Sequence, residues 1–338
     1  MPRTAFLTCT ALLLVSASSA RAQSTANARD LLDHQQYRDG ARMLEGMVSR
    51  GSDNPQVYEL LADAYLGLKK PDQALSALEQ GLSAAPGSLH LQSFFIALLR
   101  RTVPPAEARQ KIFTVLNTFP DSPVFQKAAA RLLMETNPQD EKAGALLAMA
   151  TRAAPDDAET HFFFGQWLCV NQREEACITE LNTAAGQTRG TNQEALAQIF
   201  ALLGTAHMNS GNAEEAQNAW RRAMLANQKS DRPSPELNIR YSAFLRRLDH
   251  EHEADDVLRA TLKTYPEFGP AHFEAAEVAF RRNDTDTAER EARKALEFRG
   301  YGKEARNNIH MFLASVYARN GRYADADRER AAILARSE

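Results

Sequence analysis

A small residue recurs along this chain every 33 to 39 residues, and that period restricts its fold more than any other feature. The recurring residues are Ala41, Ala74, Ala108, Ala143, Cys177, Ala216, Ala254, Ala288 and Ala326. A bulky apolar residue usually follows four positions later, as at Leu78, Ile112, Leu147, Leu181, Trp220 and Leu258. This spacing places both residues on one helix face, where the small side chain lets another helix approach and the bulky one fills the gap. A repeat of this length predicts helical hairpins that stack and share a continuous core.

The first part of each repeat carries a second pattern, in which a large residue precedes a small one, as at Leu61-Ala62, Phe164-Gly165, Leu203-Gly204, Tyr241-Ser242 and Leu313-Ala314. Prolines near the repeat ends are predicted to end the second helix and to open the turn to the next repeat, namely Pro55, Pro86, Pro120, Pro155 and Pro266. A generic helical bundle is the weaker alternative, because it requires no fixed period.

These positions together resemble the tetratricopeptide repeat family. The best-matching stretches run from Leu61 and Ala62 through Tyr65, Ala74 and Leu78 to Pro86, and from Leu203 and Gly204 through His207, Gly211, Ala216 and Trp220 to Ala223. The resemblance covers roughly residues 27–338. It implies an all-α fold, a right-handed superhelical solenoid of about eight or nine antiparallel helix-turn-helix repeats. Two longer polar connections, near residues 186–196 and 228–235, are predicted to bend or subdivide the solenoid.

The amino terminus has the pattern of a cleaved secretory signal. Arg3 provides a positive start, an apolar run extends from Ala5 to Val15, and a small-x-small pattern ends at Ala22. The run is shorter than the roughly 18 residues that span a bilayer, so a membrane anchor is disfavoured and no later stretch is long enough. We predict a signal peptide over residues 1–22, cleavage after Ala22, a solenoid over residues 23–338, and export to a bacterial periplasm or beyond.

Composition and motifs argue against nucleic-acid binding and catalysis. The chain has 40 basic and 43 acidic residues. It therefore lacks the excess of basic residues that binding to nucleic acid requires. Glycine-rich phosphate loops, nucleophile elbows and HExxH motifs do not occur, so no enzyme and no cofactor are predicted. The alternative is a metal-dependent or regulatory part of an enzyme that uses His250 and His252. That cluster lacks further ligands in sequence, so no metal site is predicted.

The resemblance implies that the first helices line a concave face that binds a partner. On these helices, the face turned away from the small residues is rich in cations and rings, comprising Arg100, Arg101, Lys127, Arg131, Phe162, Arg240, Arg246, Arg247, Phe273, Phe280, Arg281 and Arg319, with Phe163, Gln166, Glu277 and Met311 among them. Arginine binds carboxylates bidentately and phenylalanine supplies rigid apolar area. These residues predict a scaffold that binds an acidic and apolar peptide or partner protein. The alternatives are solvated arginines, phenylalanines packed on the next hairpin, and self-association.

Two cysteines remain if the signal, which contains Cys9, is removed. Cys169 and Cys177 flank the predicted turn over residues 171–175 almost symmetrically. In an oxidising compartment they would form a disulfide if the geometry permits. Two buried free thiols are the equally open alternative.

Overall fold

The computed structural model describes residues 24–334, so the predicted signal peptide over residues 1–22 lies outside the described residues. Regular structure within 24–334 is entirely helical. Its eighteen helices are α1 (24–33), α2 (Tyr37–Ser49), α3 (Pro55–Gly67), α4 (Pro71–Ala84), α5 (Leu89–Thr102), α6 (Pro105–Thr118), α7 (Pro123–Thr136), α8 (Glu141–Ala153), α9 (Ala158–Val170), α10 (Glu174–Gln187), α11 (Gln193–Asn209), α12 (Ala213–Lys229), α13 (Pro235–Arg247), α14 (Glu251–Thr264), α15 (Gly269–Arg281), α16 (Thr285–Glu297), α17 (Lys303–Arg319) and α18 (Tyr323–Leu334). The prediction of an all-α hairpin fold is confirmed.

The chain forms two compact units that divide between Gln172 and Arg173. The described part of the first unit holds four hairpins, α1–α2 to α7–α8, followed by α9. The second holds α10 and four hairpins, α11–α12 to α17–α18. Consecutive helices pack along each unit, as stacked repeats require. The predicted bends fall at the non-helical residues 188–192 and 230–234, and they stay predictions.

Backbone geometry inside the hairpins explains the short turns. Gly211 and Gly321 have φ of 80° and 70°, a left-handed conformation that glycine adopts without strain. Lys69, Asp249 and Asn283 take the same conformation at the equivalent turns, with φ between 59° and 61°. In these five turns the next N–H donates to the carbonyl five residues earlier, over 2.8 to 3.0 Å. This bond satisfies a carbonyl that the ending helix would leave open.

The connections between hairpins use proline in two ways. Pro86, Pro120, Pro155 and Pro266 lie between a second helix and the next first helix, as predicted. Pro55 differs, because it is the first residue of α3 instead of the end of α2. That position suits proline, since the first turn of a helix needs no N–H donor there.

One polar contact recurs at the start of the first helices. The fourth residue of the helix donates a hydrogen bond to the carbonyl six residues earlier, over 2.5 to 2.9 Å, from Tyr58 to Ser52, Gln92 to Pro86, Gln126 to Pro120, His161 to Pro155 and His272 to Pro266. Each bond ties a first helix to the connection that precedes it. Loop carbonyls that would otherwise lack a helical partner are thereby satisfied.

The core consists of the residues that define the period. All nine recurring small residues are buried, none more than 6% exposed, and the six bulky residues are at most 5% exposed. Glycine permits still closer contacts, because a Cβ on Gly204 would lie 2.5 Å from Cδ1 of Trp220. Likewise, a Cβ on Gly144 would lie 2.4 Å from the Trp167 ring. The predicted core positions are therefore confirmed.

Candidate functional site

The predicted partner-binding residues lie on first helices of both units. The first unit carries Arg100 and Arg101 on α5, Lys127 and Arg131 on α7, and Phe162 on α9. The second carries Arg240, Arg246 and Arg247 on α13, Phe273, Phe280 and Arg281 on α15, and Arg319 on α17. The two groups differ in how far their charges are already compensated.

In the first unit the cations of α7 are paired with carboxylates near the start of α9. Lys127 Nζ lies 2.8 Å from Asp157 Oδ2 and 2.7 Å from Glu159 Oε2. Arg131 Nη1 lies 3.3 Å from Glu159 Oε1, and its guanidinium lies 4.4 Å from the centroid of the Phe163 ring. These contacts join neighbouring hairpins and leave little uncompensated charge for a partner.

Most of the other predicted residues of the first unit also have charged or aromatic neighbours within that unit. Burial and the neighbouring cation Arg100 lower the pKa of Arg131. Arg100 Nη2 in turn lies 3.9 Å from Glu135, while Arg101 is exposed. The Phe162 ring packs on Phe163, with their centroids 5.4 Å apart. The sequence predicted these side chains as contacts for a partner, and in the structure most of them already contact other side chains of the first unit.

Arg246 of the second unit is also committed to the fold. Its side chain is only 10% exposed and contacts three carboxylates, Asp255 at 3.3 Å, Glu274 at 3.5 Å and Glu251 at 3.7 Å. These carboxylates belong to α14 and α15, so Arg246 fastens α13 to both helices. Arg240 of α13 is exposed, its guanidinium lies 5.6 Å from the Trp220 ring centroid, and desolvation by the surrounding protein lowers its pKa.

Three of the predicted arginines of the second unit end their helices. Arg247, Arg281 and Arg319 are the last residues of α13, α15 and α17, where positive charge complements the helix dipole. All three are exposed, and within the described residues none forms an ion pair with a carboxylate. Arg319 Nη1 donates to the carbonyl of Phe280 over 2.7 Å, and its guanidinium lies 3.4 Å from that ring centroid. We call these three residues the arginine row.

An aromatic patch, formed by Phe273, Phe280, Met311 and Phe312, adjoins Arg319 of the arginine row. The Phe312 centroid lies 5.3 Å from both Phe273 and Phe280, with interplanar angles of 76° and 67°. The three rings are partly exposed and Met311 is 51% exposed. Phe312 is not among the predicted residues, because a helix turns about 100° per residue and the sequence pattern placed only Met311 on this face.

The alternative cluster of histidines gathers no third ligand. His250 precedes α14 and its Nδ1 lies 3.5 Å from Glu253, while His252, 90% exposed, lies 3.3 Å from Asp256. These are contacts within one helical segment. Across residues 24–333, ligand atoms do not form a group of three around either histidine. Nothing in this geometry favours the metal-dependent alternative.

In the described part of the chain, none of the helices combines the length and apolar character needed to cross a membrane.

Comparison with known proteins identifies the repeats. Models of the tetratricopeptide repeat match residues 31–94 and 269–294. A search among curated proteins found no match. A tetratricopeptide repeat protein from Parabacteroides merdae has a similar structure, with 14% identity and a TM-score of 0.55 over 78% of this chain and 98% of that chain.

The chain from the APC/C hetero-tetramer Cut9-Hcn1 is also similar, with 14% identity and a TM-score of 0.52 over 88% of this chain. This protein matches only 56% of that longer chain. At such identities the likeness concerns the fold alone. The two family matches, together with the buried residues at repeat spacing, identify this chain as one built of tetratricopeptide repeats.

Proposed function

We propose that this protein is a non-enzymatic interaction scaffold whose second unit binds an acidic and apolar peptide segment of a partner protein. The segment lies along the first helices α13, α15 and α17. The observation that carries the proposal is the arginine row, Arg247, Arg281 and Arg319. Among the described residues these arginines have no carboxylate within ion-pair distance, and Arg319 packs on Phe280 of the aromatic patch.

The distribution of ion pairs favours the second unit over the first as the site that binds an acidic segment. The α7 cations are already held by Asp157 and Glu159, so an acidic ligand would have to displace existing ion pairs. The arginine row requires no such exchange. A guanidinium offers a fork of donors that matches a carboxylate, and its charge steers an acidic segment toward the face.

The aromatic patch supplies the apolar part of the interaction. Rings that already pack on one another lose little freedom on binding, and they are typical anchors of protein interfaces. Met311 adds a flexible, exposed thioether that adapts to irregular side chains. Charged groups beside an apolar patch match a peptide in which acidic and apolar residues are close together.

We propose further that the protein is exported and that it does not catalyse a reaction. Export depends on the predicted signal peptide over residues 1–22 and would place the scaffold in the cell envelope or outside the cell. The sequence has no phosphate loop and no nucleophile motif. Charged contacts such as those of Lys127 and Arg246 join neighbouring helices. A binding role therefore accounts for the exposed features of the second unit.

Selection from a random dodecapeptide library on the immobilised full chain tests the proposal. We expect enrichment of peptides that combine Asp or Glu with Phe, Leu or Met. The Arg281→Glu/Arg319→Glu variant should bind an enriched peptide at least tenfold more weakly in fluorescence anisotropy. The matched control is Arg299→Glu, an exposed arginine in the connection before α17, which should bind as the wild type does. Equal binding by all three proteins would contradict the proposal.

A further inference from the structure

One carboxylate on the proposed binding face lacks a partner. Glu277 lies on α15 one turn after Phe273 and one turn before Phe280, so all three share a helix face. Its side chain is partly buried, and among residues 24–333 it forms no hydrogen bond or ion pair. The edge of the aromatic patch thus carries a carboxylate that no hydrogen bond or ion pair among these residues holds.

The neighbouring charged groups compensate this charge only in part. Glu274, the carboxylate of the preceding turn, is bound by Arg246 at 3.5 Å. Burial and the charge of Glu274 raise the pKa of Glu277, and Arg281 offsets this only in part without reaching ion-pair distance. Arg319, which could also have approached, is held on the ring and the carbonyl of Phe280. The surroundings therefore disfavour the charged form of Glu277.

The chemistry of a ligand at this point is restricted. An apolar side chain that covered Glu277 would bury a carboxylate without a partner, which is costly. An acidic side chain would add repulsion. A cationic side chain would pair with the carboxylate while its methylene stem packs on the neighbouring rings.

We propose that the bound segment presents a lysine or arginine side chain to Glu277, between the residues that contact the arginine row. This inference rests on the proposed function and makes it more specific: the ligand is a segment of mixed charge, acidic toward Arg281 and Arg319 and basic at one position. Because Glu277 attracts a cationic side chain at that position and repels an acidic one, the face binds such segments more tightly than purely acidic ones.

The test repeats the dodecapeptide selection with wild type, Glu277→Gln and Glu277→Lys. Wild type should enrich acidic and apolar peptides with Lys or Arg at a fixed position. Glu277→Gln should lose that preference, and Glu277→Lys should replace it by Asp or Glu. Glu304→Gln, an exposed glutamate at the start of α17, is the matched control and should select as the wild type does.

A double-mutant cycle on one enriched peptide gives the second readout. Replacing its lysine by norleucine should weaken binding to the wild type about tenfold, the effect of losing one charge-assisted hydrogen bond. The same replacement should change binding to Glu277→Gln by less than twofold. Far-ultraviolet circular dichroism checks that both proteins are folded.

The possible failures are distinguishable. Enrichment of acidic and apolar peptides that depend on Arg281 and Arg319, but show no Lys or Arg preference and no coupling to Glu277, overturns this inference and leaves the proposed function. Absence of enrichment, or enrichment that is indifferent to Arg281 and Arg319, overturns both.

Discussion

Substituting Gly204 by alanine tests whether close helix approach holds the hairpins together. A Cβ at this position would lie 2.5 Å from Trp220 Cδ1 and 2.8 Å from its Nε1. The indole has little room to retreat, because Trp220 is 2% exposed and lies against Phe244 and Tyr241, with centroids 5.6 and 5.9 Å away. Overpacking of this kind costs about 1–3 kcal/mol, whereas glycine to alanine in a helix gains about 1 kcal/mol. We expect a net loss of up to about 2 kcal/mol for Gly204→Ala.

The matched control is a glycine-to-alanine substitution at a helical position where the added Cβ contacts no neighbouring side chain. Gly186 lies on α10, and a Cβ there would meet no atom within 4 Å. Only the helix preference then acts, so Gly186→Ala should stabilise the fold by about 0.5–1 kcal/mol. Both variants add one methyl group to a helix of the second unit, and the expected effects have opposite signs. The difference isolates the contact with Trp220 from the general effect of removing glycine.

Tryptophan fluorescence makes the measurement local. The chain has two tryptophans, Trp167 in the first unit and Trp220 in the second. In a Trp167→Phe background, urea unfolding followed by fluorescence reports the second unit, which contains Trp220 and both substituted glycines. We expect the midpoint to fall for Gly204→Ala and to rise for Gly186→Ala. A Gly204→Ala midpoint equal to or above the parent would refute the close-approach explanation of the small residues.

Three further outcomes are expected. Unfolded, unreduced protein recovered from outside the cell should show no reactive thiol, whereas two thiols would eliminate the Cys169–Cys177 disulfide. Amino-terminal sequencing of that protein should begin at Gln23, and a chain that retains the signal would contradict export. Burial opposes ionisation of Glu291, but hydrogen bonds from His272 and two cations lower the pKa of Glu291. Glu291→Gln should therefore cost about 1–3 kcal/mol at pH 7, and calorimetry should show that cost vanishing as the pH falls through the lowered pKa.

The fold was predictable because its rules are local in sequence. A pair such as Ala143 and Leu147, or Ala254 and Leu258, places a small and a bulky residue one helical turn apart. In the structure all four are buried, at most 5% exposed. Since each hairpin requires the same pair of small and bulky residues, the pair occurs several times in one sequence. Repetition at one spacing thus indicates the fold without knowledge of which helices meet.

The candidate site was less predictable because it depends on residues from other hairpins. Arg246 and Arg247 are adjacent and chemically identical, yet one contacts three carboxylates and the other none within the described residues. Which arginine is compensated depends partly on Glu274, 28 positions from Arg246. Lys127 shows the same effect, because Glu159 of a later hairpin binds it. A helical pattern gives the face of a residue but not its partner across the interface.

The recurring contact at the fourth position of the first helices shows a third kind of requirement. Tyr58, Gln92, Gln126, His161 and His272 differ in shape, charge and hydrophobicity, so a search for repeated residue classes finds no pattern among them. They share a donor that reaches the carbonyl six residues earlier. What repeats is the hydrogen bond, and any side chain that supplies it satisfies the fold. Because the donor can be histidine as well as glutamine, one position that is structurally equivalent throughout the chain can carry a titratable group in some repeats and a neutral amide in others.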